Sequence, residues 1–163
     1  MYCEILSDKV IDISMFIKEK CVSENCNYIY SVDFNSNEYS SRWLRKRFFD
    51  HELVAFADIQ NDEIKDMILI EKKQCEDLSY CNLLIFPWNK KTLLNYAIAE
   101  IYKENHQLTK LKLVIVKRDL NKCNIEELGF ELELCIRRFN NSCRDIVSLS
   151  LIHISEPTRL DVI

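Results

Sequence analysis

The sequence predicts a mixed α/β domain in which helices cover both faces of a largely antiparallel sheet with a central β-α-β crossover. Three observations predict this fold class. Two apolar runs, ELVAFADI and KDMILIEKK, flank a short polar stretch and indicate an antiparallel hairpin. Two continuous apolar runs, YCNLLIF and LKLVIVK, flank an amphipathic helix and indicate a strand–helix–strand crossover. Two alternating runs near the end of the chain, FELELCIRRF and CRDIVSLS, add a further pair of strands.

The first part of the chain supplies a strand and two helices before the hairpin. MYCEILS is typical of a short strand. DKVIDISMFIKEKC has its apolar residues at helical spacing, and Asp8 is placed to cap the start of that helix. SRWLRKRFFDH predicts a short, basic, amphipathic helix. In the hairpin that follows, Asn61-Asp62 suits a tight turn between antiparallel strands.

The second part contains the clearest helix of the chain, NKKTLLNYAIAEIYKEN, which either Asn89 or Thr92 would cap. NKCNIEEL predicts a short helix that ends at Gly129. This residue is the only glycine, and we expect it to adopt the left-handed conformation of a C-terminal cap. The predicted order of elements is therefore β-α-α-β-β-β-α-β-α-β-β.

Composition narrows the class of protein. A chain of 163 residues with 48% apolar residues suits one domain with its own core. The net charge of −4 argues against a general nucleic-acid-binding protein, which usually carries a basic excess. No apolar run has membrane-spanning length, and the N-terminus lacks a basic region followed by an apolar stretch. We therefore expect a cytoplasmic protein with no membrane or nucleic-acid partner.

Eight cysteines are spread along the chain, but no two have the spacing of a zinc-binding or redox motif. Several lie inside apolar runs, where a reduced thiol behaves as a small apolar side chain. The sequence therefore predicts no metal site.

The basic helix has two interpretations. It could contact a nucleic acid or an anionic acyl acceptor, or it could bury its apolar residues and leave its charges in water, which is the interpretation we favour. The basic residues concerned are Arg42, Arg45, Lys46 and Arg47, interleaved with Trp43 and Phe48.

Three stretches of the second half of the chain resemble the GNAT superfamily of N-acetyltransferases. KLKLVIVKRD followed by ELGFELE looks like that family's fifth strand, fourth helix and entry to the sixth strand. RDIVSLS looks like its closing strand, and YCNLLIFPWNKKTLLNYAIAEI lies where its fourth strand, pyrophosphate loop and third helix belong. The resemblance implies acetyl-CoA as acyl donor and a primary amine, on a small molecule or a peptide, as acceptor.

The resemblance also implies a site for the cofactor. The pantetheine arm would pair with the main chain of Leu84, Ile85 and Phe86, and the pyrophosphate would lie at the turn formed by Asn89, Lys90, Lys91, Thr92 and Leu93. The family usually has glycines at this turn, whereas PWNKKTLL has none. The turn is therefore either a modified phosphate cradle at a helix N-terminus or a pair of solvated lysines.

The catalytic residues of the family are less evident. The tyrosine that often protonates the departing thiolate is replaced by Ile125, and YCNLLIF contains no carboxylate. Glu71, near the end of the preceding strand, is the candidate general base, acting through a water, and a solvated surface carboxylate is the alternative. Three functions follow: an N-acyltransferase with direct attack of the amine on the thioester, a GNAT-fold binding protein without catalysis, or an α/β nucleic-acid-binding module.

The last fifteen residues, LSLIHISEPTRLDVI, differ in character from the rest. LSLIHISEPTR resembles the translation of a transposase-based sequencing adapter. The last four residues fit the translation of a short sample index, over residues 160–162, followed by more adapter sequence at Ile163. We therefore expect residues 1–148 to form a single GNAT-like domain, either whole or truncated at its C-terminus, and residues 149–163 to be a non-native tail.

Overall fold

The computed structural model of the protein describes residues 1–21, 27–32, 40–72, 80–105, 108–122, 125–139 and 144–152. The strands are β1 (Tyr2–Ile5), β2 (Tyr28–Tyr30), β3 (Leu53–Gln60), β4 (Glu63–Lys72), β5 (Tyr80–Pro87), β6 (Lys110–Val116), β7 (Phe130–Phe139) and β8 (Arg144–Ile152). The α-helices are α1 (Val10–Phe16), α2 (Ser41–Phe49) and α3 (Lys91–Glu104). A π-helical turn continues α1 over Ile17–Cys21, and 3-10 turns cover Ser7–Lys9, Lys117–Lys122 and Glu126–Leu128.

The strands form one eight-stranded sheet in the order β1-β3-β4-β5-β6-β8-β7, with β2 paired to β5 outside this path. Within the described part of the chain β5 and β6 are the parallel pair, and all the other neighbours are antiparallel. Helix α3 connects the two parallel strands. The predicted fold class, a largely antiparallel sheet with a central β-α-β crossover, is confirmed.

Two apolar cores lie on opposite faces of the sheet, as the predicted helices on both faces require. Helix α3 buries Leu93, Leu94, Ala97 and Ile101 in one core. The first helical segment buries the predicted face in the other core, together with Leu44 and Phe48 of α2; the residues of that face are Val10, Ile13, Phe16 and Ile17. The helical spacing of apolar residues thus identified the buried faces correctly.

Left-handed backbone occurs at both places where the sequence predicted it and also at His51, after α2, with φ 57°. Asn61 and Asp62 join β3 to β4 with φ values of 53° and 62°, as a two-residue hairpin turn requires. Gly129 has φ 91° immediately before β7, and a Cβ atom there would lie 3.0 Å from the Leu151 side chain. Both the conformation and the space at this position therefore favour glycine.

Three local predictions were wrong. Asp8 lies within the 3-10 turn that precedes α1, so the α-helix begins at Val10 without a side-chain cap. Neither Asn89 nor Thr92 caps α3, whose cap position is Lys90. The short helix predicted over NKCNIEEL is represented by the 3-10 turn Glu126–Leu128, and its residues 123–124 lie outside the described part.

The cysteines with described side chains are the free thiols Cys3, Cys81 and Cys135. Cys81 is buried on β5, and this burial raises the pKa of its thiol to about 11, so that it stays protonated at neutral pH. Among the residues with defined positions, no group of three His, Cys, Asp or Glu side chains could hold a metal ion. No helix in the same ranges is long and apolar enough to cross a membrane.

The first residue of the chain is held by the sheet. The Met1 ammonium donates a hydrogen bond of 2.8 Å to Oδ1 of Asp58 on β3, and Gln60 donates to Oδ2 of the same carboxylate. The hydrogen bond from the ammonium is the main cause that lowers the pKa of Asp58, while burial acts in the opposite direction. The carboxylate form is thus favoured in the folded protein.

This contact predicts a pH-dependent stability. Because the folded-state pKa of Asp58 lies below its unfolded value, the stabilisation is present above roughly pH 4 and is lost as the pH falls through the folded value. We expect Asp58→Asn to lower the free energy of unfolding by about 1 kcal/mol at pH 7, since the ammonium partner is exposed. Urea unfolding at pH 7 and in acid would measure the difference. Asp8→Asn, at an exposed carboxylate, is the control, and an equal effect of both substitutions would contradict the assignment.

Candidate active site

The central feature is the point at which the parallel strands β5 and β6 part. Tyr80, Cys81 and Asn82 pair with Lys110, Leu111 and Lys112, and the parallel register ends there. On its other side β5 pairs with β4, where the register shifts by one residue so that Leu84 is the additional residue. Bulges of this kind bend a strand and redirect its main-chain groups, and they are frequent beside binding sites.

The opening between the two strands is occupied by residues 27–32, which include β2. β2 pairs antiparallel with residues 85–87 of β5. The Ser31 N–H donates to the Leu84 carbonyl at 2.8 Å, and the Val32 N–H donates to the Val114 carbonyl of β6, also at 2.8 Å. At the other end, the Trp88 N–H donates to the Asn27 carbonyl at 3.0 Å. This short segment therefore joins β5 to β6 through the main chain after they have parted.

The residues predicted to pair with pantetheine lie on the same stretch of β5. Leu84 is 2% exposed, and Ile85 and Phe86 are fully buried. Their side chains belong to the two cores, and the Phe86 ring lies against Phe130 with a centroid separation of 6.2 Å. Only their main-chain groups are therefore positioned to contact a ligand, and the Leu84 carbonyl already accepts a hydrogen bond from Ser31.

The predicted pyrophosphate turn follows directly and leads into α3. Asn89 is exposed, and Leu93 is buried in the core. The side chains between them have protein partners: the Lys90 ammonium lies 3.4 Å from Oδ2 of Asp66, the Lys91 ammonium donates to the Glu127 carbonyl at 2.7 Å, and the Thr92 hydroxyl lies 2.7 Å from the Tyr2 hydroxyl. The structure thus brings the turn residues together at the start of α3, each engaged with a different element.

Glu71 lies on β4, opposite Asn82 of β5. Its Oε1 accepts a hydrogen bond of 2.5 Å from Arg47 of α2, and its Oε2 accepts one of 3.0 Å from the Asn82 amide. Arg47 also forms an ion pair with Glu52, and its guanidinium lies 4.8 Å from the centre of the Trp43 ring. Glu71 therefore links a helix to two strands, and its catalytic role remains a prediction.

The basic helix divides into two faces. Arg42, Arg45 and Lys46 are exposed, whereas Arg47 turns towards Glu52 and Glu71. The apolar side chains of the helix face the core, with Leu44 and Phe48 buried and Trp43 packed against it. This arrangement agrees with the amphipathic interpretation of the helix.

Ile125 is buried in the core on the α3 side of the sheet and has no group that could donate a proton. Nearby, a cavity of about 500 Å³ lies between the 3-10 turns and the start of β7. None of the residues predicted to bind a cofactor lines it; its walls are Leu120, Ile125, Glu126, Gly129, Phe130, Glu131, Leu132 and Leu149.

The contacts of Glu71 predict a stability effect. We expect Glu71→Gln to lower the free energy of unfolding by about 1 kcal/mol, because it leaves the Arg47 guanidinium, 22% exposed, without one of its two carboxylates. Glu104→Gln is the matched control, since Glu104 is 52% exposed and pairs with Lys72 on the surface. That change is expected to cost less than about 0.5 kcal/mol. Denaturant unfolding of both variants checks the prediction, and equal losses would show that Glu71 is not held as the structure indicates.

Several residues at this site were not identified from the sequence. Tyr28 donates its hydroxyl to Oδ1 of Asp66 at 3.1 Å and accepts a hydrogen bond from the buried Met67 N–H at 3.2 Å. Because Asp66 also pairs with Lys90, the side chains of Tyr28, Asp66 and Lys90 form a continuous chain from β2 to the turn before α3. The run NYIYS carries little signal of its own, since its pairing depends on strands more than fifty residues away.

No family model and no curated protein matches this sequence. Solved structures do match. A GNAT-family acetyltransferase from Streptococcus pneumoniae has a TM-score of 0.67 at 17% identity, over 93% of this chain and 98% of the other. A chimera of the spermidine N-acetyltransferase from Vibrio cholerae and a second protein has a TM-score of 0.65 at 15% identity. The match covers 93% of this chain and 94% of the other.

A third match is a ribosomal-protein-S5-alanine acetyltransferase from Vibrio fischeri, with a TM-score of 0.66 at 12% identity, over 93% of this chain and 91% of the other. At these identities the matches show a shared fold and do not show a shared activity. Each match extends over more than nine-tenths of both chains. This chain therefore has the fold of the GNAT acetyltransferases.

Proposed function

We propose that this protein is an acyl-CoA-dependent N-acyltransferase that transfers an acetyl group to a primary amine. The observation that carries the proposal is the parting of β5 from β6, with the Leu84 bulge, directly before the turn that begins α3. This arrangement places main-chain groups of a buried strand and a helix N-terminus at one opening. Such an opening suits an extended donor that carries amides along its length and phosphates at one end.

The chain's own groups would hold the donor in two places. The main chain of Leu84, Ile85 and Phe86 would pair with the amides of the pantetheine arm. At the start of α3 the first-turn N–H groups and the positive end of the helix dipole would face the phosphates. Lys90 and Lys91 would add positive charge once they leave Asp66 and the Glu127 carbonyl.

The chemistry requires little covalent participation by the protein. Acetyl-CoA, as a thioester, supplies the activated acyl group. The amine nitrogen attacks the carbonyl carbon, the C–S bond breaks, and CoA leaves as a thiolate that takes its proton from solvent. The protein orients the two substrates, excludes water and stabilises the negative charge that develops on the carbonyl oxygen. Glu71 is proposed to accept the proton of the amine through a water, which requires one of its contacts with Arg47 or Asn82 to open.

The named activities of two structural matches support an amine acceptor. One is a spermidine N-acetyltransferase and the other acts on an alanine of a ribosomal protein. These names describe those proteins, and for this chain they define the compounds to test first: a polyamine and a peptide with a free N-terminus.

The second candidate is a binding protein with the same fold and no catalysis. The engaged side chains of Lys90, Lys91 and Thr92 favour it, as does the apolar Ile125 at the position where the family often has a tyrosine. A protein that had lost the donor would have no need to keep these lysines free for phosphate.

Thermal unfolding with acetyl-CoA and with free CoA separates the two candidates. A ligand that binds only the folded state raises the melting temperature, and a concentration of one hundred times Kd stabilises by about 2.7 kcal/mol. We expect a rise with both compounds and a smaller rise in Lys90→Ala. A rise followed by acetylation of spermidine or of a peptide would establish the enzyme. No rise at about 1 mM of either compound, in the wild type and also in variants that weaken the hold of residues 27–32 on β5, would remove the acyltransferase and leave the binding protein.

A further inference from the structure

The segment 27–32 occupies the position that the proposed function assigns to the acyl donor. Its main chain pairs with β5 at residues 85–87 and accepts from the Trp88 N–H, and its Ser31 N–H takes the Leu84 carbonyl. A pantetheine arm could use these groups of β5 only if the segment released them. Two extended chains cannot pair with one side of the same strand.

The segment is held on both sides of the opening and on both faces of the sheet. Val32 bonds to β6 while Ser31 bonds to β5. Ile29, 2% exposed, packs in the core on the α3 side, and Tyr28, 6% exposed, packs in the core on the α1 side, where its ring meets Phe16 edge-on. The segment is therefore packed and hydrogen-bonded as part of the folded sheet, and it is not a surface loop that passes the site.

The same segment is connected to the proposed phosphate turn. The Tyr28 hydroxyl donates a hydrogen bond to Oδ1 of Asp66, and the Lys90 ammonium forms an ion pair with Oδ2 of the same carboxylate. The segment and the turn therefore share one carboxylate, which lies between them.

From these contacts we infer that residues 27–32 form an internal strand that closes the donor cleft, and that acyl-CoA binds only after displacing it. The inference rests on the proposed function. Part of the intrinsic affinity for the donor is used to open the cleft. The apparent affinity is therefore the intrinsic affinity multiplied by the fraction of molecules in which the cleft is open. Any change that weakens the hold of the segment should therefore tighten binding of the donor.

Val32→Pro tests this directly, because proline lacks the N–H that bonds to the Val114 carbonyl. Val32→Ala keeps that N–H and is the matched control. Loss of one main-chain hydrogen bond is expected to tighten acetyl-CoA binding about fivefold to tenfold relative to the control, as measured by titration calorimetry. Tyr28→Phe releases the segment from Asp66 and Met67 without a proline and should tighten binding in the same direction.

Amide hydrogen exchange gives a second measurement, in which the inference predicts faster exchange on ligand binding. Saturating acetyl-CoA should speed exchange of the Ser31 and Val32 amides in the wild-type protein, whereas a ligand that simply packs beside the segment would slow it or leave it unchanged. Faster exchange together with tighter binding by Val32→Pro supports the inference. Binding by Val32→Pro or Tyr28→Phe alone, with none by the wild type, also supports it.

The failures of the two proposals are distinguishable. If wild type and Val32→Pro bind acetyl-CoA equally and exchange at Ser31 and Val32 does not rise, the internal strand does not close the cleft, and the acyltransferase proposal stands. If wild type, Val32→Pro and Tyr28→Phe are all folded and none is stabilised by acetyl-CoA, both proposals are wrong. Circular dichroism and a cooperative melt establish that each variant is folded.

Discussion

Replacing Phe86 by alanine should lower the free energy of unfolding by about 3–5 kcal/mol, the range for removing a large aromatic side chain from a core. Phe86 is fully buried, and its ring lies against Phe130 at the start of β7. The substitution would leave a cavity between β5 and the start of β7, and the closely packed backbone around it cannot move far enough to fill the space. Denaturant unfolding with a constant m-value would measure the loss.

Phe49 provides the matched control for this change. It has the same side chain but is 80% exposed at the end of α2, so Phe49→Ala is expected to change stability by less than about 0.5 kcal/mol. A small effect of Phe86→Ala would show that the core on the α3 side does not extend to the parting of the strands. Phe86→Leu should recover much of the stability, because it retains most of the apolar volume.

Ending the chain after Ser148 should have a comparable or larger effect, with a loss of about 3 kcal/mol or more. Residues 149–152 complete β8 between β6 and β7, where they pair with residues 110–113 of β6 and with residues 130–132 of β7. Leu149 and Ser150 are buried in this strand. Without them two neighbouring strands lose their main-chain partners at the same place.

A chain that ends after Ile152 is the control, because it keeps every described pairing of β8. Thermal melts of both chains would measure the difference, and melting temperatures within about 2 °C of each other would contradict the importance of these pairs. We propose that residues 149–163 derive from an adapter. A genomic sequence that continues differently after Ser148 and folds at least as stably would support that proposal, and the same codons in genomic context would overturn it.

The sequence sufficed for most of the fold because periodicity and turn chemistry are local. The apolar faces of α1 and α3, the hairpin turn at Asn61-Asp62 and the left-handed Gly129 all follow from residues within a few positions of one another. Capping was predicted less well. Side-chain oxygens have competing partners that are distant in the sequence, as the contact between Thr92 and Tyr2 shows.

The cofactor site itself stays a prediction. The run from Leu84 to Leu93 was located through the family resemblance, and the structure places it where two strands part before a helix. What the sequence did not indicate is which partners these residues have. β2 consists of only three residues, and the contacts of Glu71 with Arg47 and Asn82 depend on how a helix meets two strands. Tertiary arrangement determined these features, and local propensity did not.

The pairing of β2 has a consequence for the protein in the absence of any ligand. A strand with unpaired N–H and C=O groups is a template for another chain, and open edges of this kind promote association into aggregates. β5 consists largely of apolar residues, so an open cleft beside it would be a particularly hazardous template. With residues 27–32 in place, β5 has strand partners on both sides, first β6 and then β2 on one and β4 on the other. The chain thereby covers the open edge of an apolar strand by itself, and this protection against association does not require a bound small molecule.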